Sequence, residues 1–452
     1  PPPPPPPFFF HAAAGNRDPL WSRGLGDVYK RQVNGSVVVS TPQIVAMADA
    51  RKGITMFKQK NIFFLFLFIF FSTSIFSQII TIDSHIDIPF DYMENPKHDP
   101  GKYTNMQVDL IKMKEGGLDS GFFVVYVPQG PLNDKGFTEA KTLAKKKFFA
   151  ISKMTDTYPN QITLALKPDD IIQAKKNNIL SAAIGIENGY VIGEDISLLD
   201  YYYSLGARYM TLTHIGHNQI ADSSMPSKRL KDKEELHGGI SEFGRKAIKR
   251  MNKLGMMIDI SHISDKASLE AIKLSSAPVI ASHSCVKSLA DHPRNISDEL
   301  LFALKENGGV IQITAFANYV EVNNDRFFAI INLGNEVASL YGDKNFNPSL
   351  HSDKKEYLEG IDKINTEYPM PDIDDFIDHI DYVVNLIGID YVGISSDFGG
   401  GGGISGWMDA SETKLLTQRL KDRGYSSRDI EKIWGKNILR VWKDVEQIAK
   451  SS

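Results

Sequence analysis

Six short segments of the sequence have a histidine or a carboxylate at or next to their last position, after β-branched or small residues. Histidine nitrogens and carboxylate oxygens bind zinc in proteins whose sites do not use thiolates. His85 and Asp87 lie two residues apart, so in an extended segment their side chains point to the same side and suit one ion. These residue types therefore favour a metal site. The segments are DSHID at 83–87, GIEN at 185–188, TLTH at 211–214, DISH at 259–262, ASH at 281–283 and SSD at 395–397.

Three residues of this set could serve a second ion. His262 and His283 supply imidazole nitrogens, and Glu187 has two oxygens with which to bridge two ions. Two metal ions about 3.5–4 Å apart hold a hydroxide as nucleophile and stabilise the oxyanion that forms when it attacks a carbonyl. Taken singly, each histidine could be a satisfied core residue and Glu187 an ion-pair partner. Taken together, the residues predict a hydrolase.

The fold must gather these side chains, because they are spread over more than 300 residues. Eight β-branched runs alternate with amphipathic helical patterns, which is typical of parallel β/α units. A (β/α)8 barrel has eight strands, and their C-terminal ends meet on the face where catalytic residues lie. We therefore predict a single α/β domain, a TIM-type (β/α)8 barrel with the metal site on that face. The predicted strands are 79–83, 121–127, 181–186, 208–213, 256–261, 278–282, 309–314 and 391–396.

Two of the predicted helices have readable limits. Ser297 can cap a helix with acidic residues in its first turn, and Gly308 can end it. A second helix, over 240–254, has Ile240, Phe243 and further apolar residues on one stripe, which indicates a face packed on the barrel.

Longer motifs surround these residues. They are HIDIP at 85–89, GIENG at 185–189, RYMTLTH at 208–214, GMMIDISH at 255–262, APVIASHS at 277–284, RNISDELL at 294–301 and VGISSDF at 392–398. With these motifs in this order, the chain from about Ile80 to Ile448 resembles the membrane (renal) dipeptidase family, which are zinc peptidases with a (β/α)8 barrel. The resemblance spans nearly all of the predicted domain.

The resemblance implies two zinc ions per subunit, and it implies a role for each site residue. One ion would be bound by His85, Asp87 and Glu187, and the other by Glu187, His262 and His283. His214 would contact the reacting carbonyl, Arg294 would bind the free carboxylate of the substrate, and Asp397 would assist proton transfer or anchor the substrate. Glu187, His214 and Asp397 are thus the implied catalytic residues. An arginine fork matches a carboxylate, the group that distinguishes a dipeptide from the interior of a longer chain.

Two features depart from the family pattern. Family members often have a second acid in D-F-D-G after the eighth strand, and Gly399 stands in its place here. If that acid matters, turnover or substrate choice should differ. The polar and aromatic stretch from Ala315 to Pro371 is longer than the shortest family forms, and we interpret it as either a lid or a homodimer contact. It includes Tyr319, Phe327, Phe328, Tyr341 and Tyr357.

Other reactive residue types have simpler interpretations. His217 could be a further ligand, but it is expected to line a loop. His237, His292 and His379 are expected at the surface or behind the ligands. Cys285 is expected to be a small buried hydrophobe rather than a nucleophile. The charged run KRLKDKEE at 228–235 is expected to be a solvated loop.

Composition excludes several classes of protein. Of the 452 residues 42% are hydrophobic and 23% are charged, as in ordinary globular proteins, and the formal net charge of −4 gives no reason to expect a nucleic-acid partner. The single cysteine excludes an internal disulfide and a zinc site built on several thiolates.

The N-terminal region differs from the rest of the chain. Residues 1–55 begin with a proline run, and we interpret them as a non-native, disordered leader. Residues 33–57 resemble a fragment of the Mrp-type iron–sulfur carrier ATPases, which indicates a chimeric join. No phosphate loop G-x-x-x-x-G-K-[ST] occurs, and one cysteine cannot supply a cluster site, so no ATPase function is predicted.

Residues 56–77 have the layout of a secretory signal peptide. Lys58 and Lys60 precede a ten-residue apolar run, which is shorter than the roughly 20 residues that a spanning helix needs. We therefore predict a secreted or periplasmic protein without a stable membrane span, in which residues 78–452 form the barrel domain.

The resulting prediction is a binuclear zinc dipeptidase that hydrolyses the peptide bond of dipeptides through a metal-bridging hydroxide. One alternative is another metal-dependent amidohydrolase on the same barrel, acting on β-lactams or N-acyl amino acids. A second alternative, for which Gly399 is the only indication, is a non-catalytic peptide-binding relative.

Overall fold

The computed structural model describes residues 79–346, 348–352 and 354–451. The interpretations of residues 1–55 and 56–77 lie outside these residues. Strands and helices alternate along the described chain. The strands are β1 (Ile82–Asp87), β2 (Ser120–Tyr126), β3 (Ile162–Leu164), β4 (Leu180–Glu187), β5 (Ala207–Thr211), β6 (Met257–Asp259), β7 (Ile280–Ser284), β8 (Val310–Thr314) and β9 (Val392–Ser395).

Eight of these strands form the predicted barrel. They pair in parallel in the order β1-β2-β4-β5-β6-β7-β8-β9, and each predicted strand overlaps one of them. Ile86 pairs with Phe398 just after β9, and the Asp87 amide donates to the Phe398 carbonyl at 2.8 Å, which brings β9 back to β1. The short strand β3 was not predicted, and it pairs with β4 outside this order.

Helices fill the connections between the strands. Ser297 caps its helix and Gly308 ends it at φ 78°, as predicted. The helix predicted from Ile240 begins later, because Ser241 is the N-cap and its side chain accepts from the Gly244 amide. The helices are α1 (Leu110–Gly116), α2 (Asp134–Thr157), α3 (Pro168–Lys176), α4 (Ser197–Ser204), α5 (Glu242–Leu254), α6 (Asp265–Leu274), α7 (Asp298–Asn307), α8 (Ala317–Val320), α9 (Asn324–Leu340), α10 (Pro348–His351), α11 (Lys355–Glu367), α12 (Ile373–Leu386), α13 (Thr413–Asp422), α14 (Ser427–Glu431) and α15 (Asn437–Ser451).

The C-terminal helix α15 packs against the beginnings of the barrel strands. One hydrophobic cluster joins residues near the starts of several strands, such as Ile82, Met257 and Val310, to α15. In the same cluster the ring of Trp442 lies 5.5 Å from the ring of Phe122 in β2. Because α15 occupies this end of the barrel, the C-terminal ends of the strands are left to form the site.

The stretch from Ala315 to Pro371 is largely helical. It contains α8 to α11, and α9 packs against α11. Its first part reaches the barrel, where the buried Tyr319 lies under the guanidinium of Arg294 at 5.2 Å from the ring centroid. Whether the remainder acts as a lid or a dimer contact stays a prediction. No helix among the described residues has both the length and the apolarity needed to cross a membrane.

Candidate metal centre

The structure brings the five predicted metal ligands together at the C-terminal ends of the strands. His85 in β1 is completely buried, and its Nε2 lies 3.5 Å from Asp87 Oδ2 and 3.4 Å from Glu187 Oε2. The other Glu187 oxygen, Oε1, lies 3.1 Å from His262 Nε2 and 3.4 Å from His283 Nε2. Glu187 therefore turns one oxygen toward His85 and the other toward the remaining two histidines.

The donor set fits metal ions. Ligand atoms fall into three overlapping groups: His85, Glu187 and His283; Glu187, His214 and His262; and His85, Asp87 and Asp397. His85 Nε2 is buried without a hydrogen-bond partner, and His262 Nε2 faces His283 Nε2 at 2.9 Å. Two neutral imidazole nitrogens at that distance need a shared proton or cation between them. Histidine and carboxylate ligands without thiolates suit zinc.

Hydrogen bonds on the far side of two rings direct Nε2 toward the centre. The Tyr209 hydroxyl donates to the Ser84 carbonyl at 3.0 Å, so at 2.9 Å it is positioned to accept from His85 Nδ1. Likewise the Ser282 hydroxyl donates to Asp259 Oδ2 at 2.6 Å and is positioned to accept from His283 Nδ1 at 2.7 Å. A proton on Nδ1 leaves the Nε2 lone pair for a metal.

Asp259 supports this arrangement with four hydrogen bonds. It accepts from the hydroxyls of Thr211 at 2.5 Å and Ser282, and from the amides of Ser261 at 3.0 Å and Ser282 at 2.8 Å. These bonds tie the end of β6 to β5 and β7. They also fix the hydroxyl that orients His283.

Asp259→Asn is expected to weaken metal binding about 10- to 100-fold, the usual cost of losing a group that orients a metal ligand. The asparagine replaces one accepting oxygen by an amide group that donates, so the Ser282 and Thr211 hydroxyls lose an acceptor. Titration of the metal-free protein with zinc measures the change. Asp169→Asn, an exposed substitution on α3, is the control. Equal affinity in Asp259→Asn and the wild type would contradict this role.

Burial and charge set the ionisation of the ligands. Burial lowers the pKa values of His262 and His283 well below the usual range, so both rings are neutral donors. Burial alone would also lower the pKa of His85, but the charges of Glu187 and Asp87 outweigh it and raise that pKa. Burial alone would raise the pKa of Glu187, but the neighbouring histidines hold it well below its usual value. The centre is thus built around an ionised Glu187.

The three residues predicted to act on the substrate lie around the same centre. His214 Nε2 is 3.5 Å from Glu187 Oε1, and Asp397 Oδ1 is 4.0 Å from His85 Nε2. Burial, helped by the charges of Asp87 and Glu187, raises the pKa of Asp397 well above its usual value. Arg294 is buried, with Nη2 donating to the His283 carbonyl at 2.9 Å and Nη1 to the Ser284 hydroxyl at 3.3 Å. Its Nε has no hydrogen-bond partner among the described residues.

Three of the six non-glycine residues with positive φ in the described part of the chain lie at this centre. Asn188, His262 and Asp397 have φ of 81°, 69° and 58°, in the left-handed region that non-glycine residues rarely adopt. Each of them is a site residue or follows one directly. Such conformations cost about 1–3 kcal/mol each and persist where the surrounding structure enforces them. The folding free energy of the barrel therefore offsets the strain that comes with orienting these side chains.

Gly399 and Gly400 leave no room for the second acid of the family pattern. Gly399 has φ 82°, and a Cβ there would lie 2.4 Å from the Asp87 carbonyl oxygen. A Cβ on Gly400 would lie 2.5 Å from Asp87 Oδ2 and 2.4 Å from Asp397 Oδ1. An acid at either position would displace Asp87. The close approach of Gly399 and Gly400 to Asp87 therefore goes together with the absence of the second acid of the family pattern.

The remaining histidines and the cysteine lie away from the ligand groups. His217 bonds the loop as predicted, with Nε2 at 2.8 Å from the Lys233 carbonyl and Nδ1 accepting from the Ser223 amide. Of the two alternatives expected for His379, the surface position is excluded, because the ring is buried and bonds the Val286 amide and the Val320 carbonyl.

His237 bonds the Asn218 carbonyl, and His292 packs on Tyr319. Cys285 is fully buried, as predicted, and burial raises its pKa to about 12. The run 228–235 is largely exposed, as predicted.

Sequence reasoning missed the residues behind the ligands. Tyr209 and Asp259 lie inside the quoted motifs RYMTLTH and GMMIDISH, but nothing in their spacing shows that they contact His85 and Ser282. Tyr126, at the end of β2, packs on the His214 ring at 4.8 Å and is preceded by hydrophobic residues that resemble any core strand. Lys147 lies in a lysine-rich part of α2, where sequence gives no reason to single it out.

A buried cluster of histidines and carboxylates at the C-terminal end of a parallel barrel defines the class of metal-dependent hydrolases. Comparison with known proteins identifies the family within this class. The chain belongs to the membrane dipeptidase family, peptidase family M19, whose model matches residues 71–452. The family and its dipeptidase members show that the protein is a hydrolase of peptide bonds and support metal-dependent dipeptide hydrolysis.

Relatives and a solved structure agree with this assignment. The chain is 32% identical to dipeptidase aclJ of Aspergillus oryzae over 76% of this chain and 71% of that one. It is 28% identical to dipeptidase tcpJ of Claviceps purpurea over 80% and 75%. The crystal structure of the probable dipeptidase PvdM from Pseudomonas aeruginosa superimposes with a TM-score of 0.71 at 31% identity, covering 82% of this chain and 96% of that one.

Proposed function

We propose that the protein is a binuclear zinc dipeptidase that cleaves small peptides with a free C-terminus. The observation that carries this proposal is the position of Glu187, whose two oxygens face His85 on one side and His262 and His283 on the other. One carboxylate so placed can bridge two ions. Bound zinc would supply a hydroxide nucleophile and positive charge for the oxyanion.

The protein's own residues would orient the substrate. The buried Nε–H of Arg294 has no hydrogen-bond partner in the described part of the chain, and a guanidinium fork binds a carboxylate with more than one hydrogen bond. His214 lies beside Glu187 with its pKa lowered by burial, so the neutral ring can donate a hydrogen bond to the reacting carbonyl. Asp397, whose Oδ1 lies 4.0 Å from His85 Nε2, would hold a proton for the leaving amine or anchor the amino group.

Metal analysis together with turnover tests the proposal. Protein purified without chelator should contain two zinc ions per chain and cleave Ala-Ala. A chelator should abolish turnover, and added zinc should restore it, because the bound ions would supply both the nucleophile and the positive charge that stabilises the oxyanion. Activity that survives complete metal removal would refute the proposal.

A substrate panel separates the proposed reaction from the alternative amidohydrolase reactions. Dipeptides, N-acyl amino acids, a β-lactam and a pentapeptide should be compared on the same zinc-loaded preparation. We expect dipeptides to be cleaved and the pentapeptide to be left intact. Faster cleavage of the β-lactam or of the N-acyl amino acid would favour the alternative.

We also propose where the protein is located. Residues 56–77 have the order of charged, apolar and small residues found in secretory signal peptides, which supports a secreted or periplasmic protein. N-terminal sequencing of the exported protein should find a start near residue 78.

A further inference from the structure

Lys147 is a buried lysine on the wall of the site. It lies in α2 with only 2% of its surface exposed. Its Nζ lies 4.7 Å from the ring centroid of Phe90 and 5.4 Å from that of Tyr126. Tyr126 in turn packs on His214. The ring of Tyr126 thus contacts both the ammonium group and His214, a residue of the proposed catalytic centre.

This ammonium has aromatic neighbours but no direct anionic partner. No hydrogen bond or ion pair joins Nζ to any residue in the described part of the chain. Lys112, which is also buried, differs because its Nζ donates to the Met106 carbonyl at 2.5 Å and pairs with Asp409 at 3.3 Å. Buried charges are normally paired, because an unpaired one pays the full cost of desolvation. Lys147 therefore has three N–H donors available for a ligand.

The two carboxylates whose charges act on Lys147 are also proposed metal ligands. Burial lowers the pKa of Lys147, and only the more distant charges of Asp87 and Glu187 oppose that effect. Both carboxylates are among the proposed metal ligands, so in the loaded enzyme their charge is shared with cations. A substrate that brings its own negative charge would supply the missing partner.

The position of Lys147 in the barrel indicates which part of a dipeptide it would meet. Phe90 follows β1 and Tyr126 ends β2, whereas Arg294 and Tyr319 follow β7 and β8. Around the barrel, in which β9 returns to β1, these two pairs are separated by β9 on one side and by β4, β5 and β6 on the other. If Arg294 binds the C-terminal carboxylate, the amino-terminal residue extends toward Phe90, Tyr126 and Lys147. Phe90 is 41% exposed and offers an apolar surface for the methylene groups of a side chain.

We propose that Lys147, flanked by Phe90 and Tyr126, is a specificity-determining residue that selects dipeptides with an acidic amino-terminal residue. This inference rests on the proposed dipeptidase function. The ammonium would bind the aspartate or glutamate side-chain carboxylate, and it would play no part in bond cleavage.

The test compares Glu-Ala with Gln-Ala, which differ in charge but hardly in shape. On the zinc-loaded wild-type enzyme, kcat/KM for Glu-Ala should exceed that for Gln-Ala about tenfold or more, as expected for a hydrogen-bonded charge pair in a buried setting. In Lys147→Met this ratio should fall to about one or below, while kcat/KM for Gln-Ala stays within about threefold of the wild type. Lys147→Arg should keep a preference for Glu-Ala, because it keeps the charge.

Lys145→Met, an exposed substitution on the same helix, is the matched control and should leave the ratio unchanged. A wild-type enzyme without preference, or a preference that survives in Lys147→Met, would overturn the inference. If Lys147→Met does not fold, the wild-type ratio and the Lys147→Arg variant decide the matter.

A binding measurement separates this inference from the proposed function. Calorimetry of Glu-Ala and Gln-Ala on the zinc-loaded Asp397→Asn variant, which keeps all five proposed metal ligands, needs no turnover. Tighter binding of Glu-Ala there, with no hydrolysis by the zinc-loaded wild type, would support the acidic pocket and refute the dipeptidase proposal. Equal binding together with hydrolysis would refute the pocket and leave the dipeptidase proposal intact.

Discussion

Glu187→Gln is expected to release bound metal and to stop dipeptide hydrolysis in the same preparation. Glu187 is the only residue whose two oxygens face both histidine groups of the described site. Glutamine keeps the shape but removes the negative charge, so His85, His262 and His283 lose their common anionic neighbour. Even a group that only orients a ligand costs 10- to 100-fold in metal affinity, so we expect a loss of more than about 100-fold in both zinc affinity and kcat/KM.

Metal content by elemental analysis and kcat/KM for Ala-Ala measure the two effects. Glu194→Gln, an exposed substitution in the same β4–α4 connection, is the matched control. A variant that keeps two zinc ions and loses only turnover would assign Glu187 to proton transfer instead of metal binding. A variant with normal metal content and normal turnover would refute the proposed centre.

Arg294→Met is expected to lower kcat/KM for dipeptides about 100-fold or more, because truncating one partner of a buried charge pair usually costs about 2–5 kcal/mol. The loss should be selective. The wild type should strongly prefer Ala-Ala to its C-terminal amide, which lacks the carboxylate, and Arg294→Met should remove most of that preference. The ratio of kcat/KM for the two substrates is the measurement.

Arg294 also donates to the His283 carbonyl, so a structural effect must be separated from a loss of substrate binding. Zinc content of Arg294→Met provides this control, and it should match the wild type. Arg250→Met removes a surface arginine that pairs with Asp200 and should change neither ratio nor metal content. Equal losses for the acid and the amide would show that Arg294 acts through His283.

The barrel and the ligand cluster could be predicted from the sequence for one reason. Parallel barrel strands are buried on both faces and read as apolar runs, and catalytic side chains follow their C-terminal ends. Six polar residues at such ends therefore indicated a common face before any distance was known. The strand limits differ by a few residues, as in β1, which begins at Ile82 instead of Ile79.

The features that were missed depend on contacts between distant parts of the chain. The short strand β3 has three residues and no pattern of its own. His379 carries no mark of burial, yet both of its ring nitrogens bond backbone atoms more than 50 residues away. The left-handed φ at His262 and Asp397 could not be predicted either, because histidine and aspartate adopt this region more often than most residues but still only in a small minority of positions.

The junction of β1 with β9 can form only after nearly all of the chain has been synthesised. Ser396 donates its amide to Asp83, a residue made 313 positions earlier. A nascent chain that ends before β9 carries unpaired edges on both β1 and β8, and such edges invite aggregation. Synthesis must therefore run nearly to completion before β1 can pair with β9.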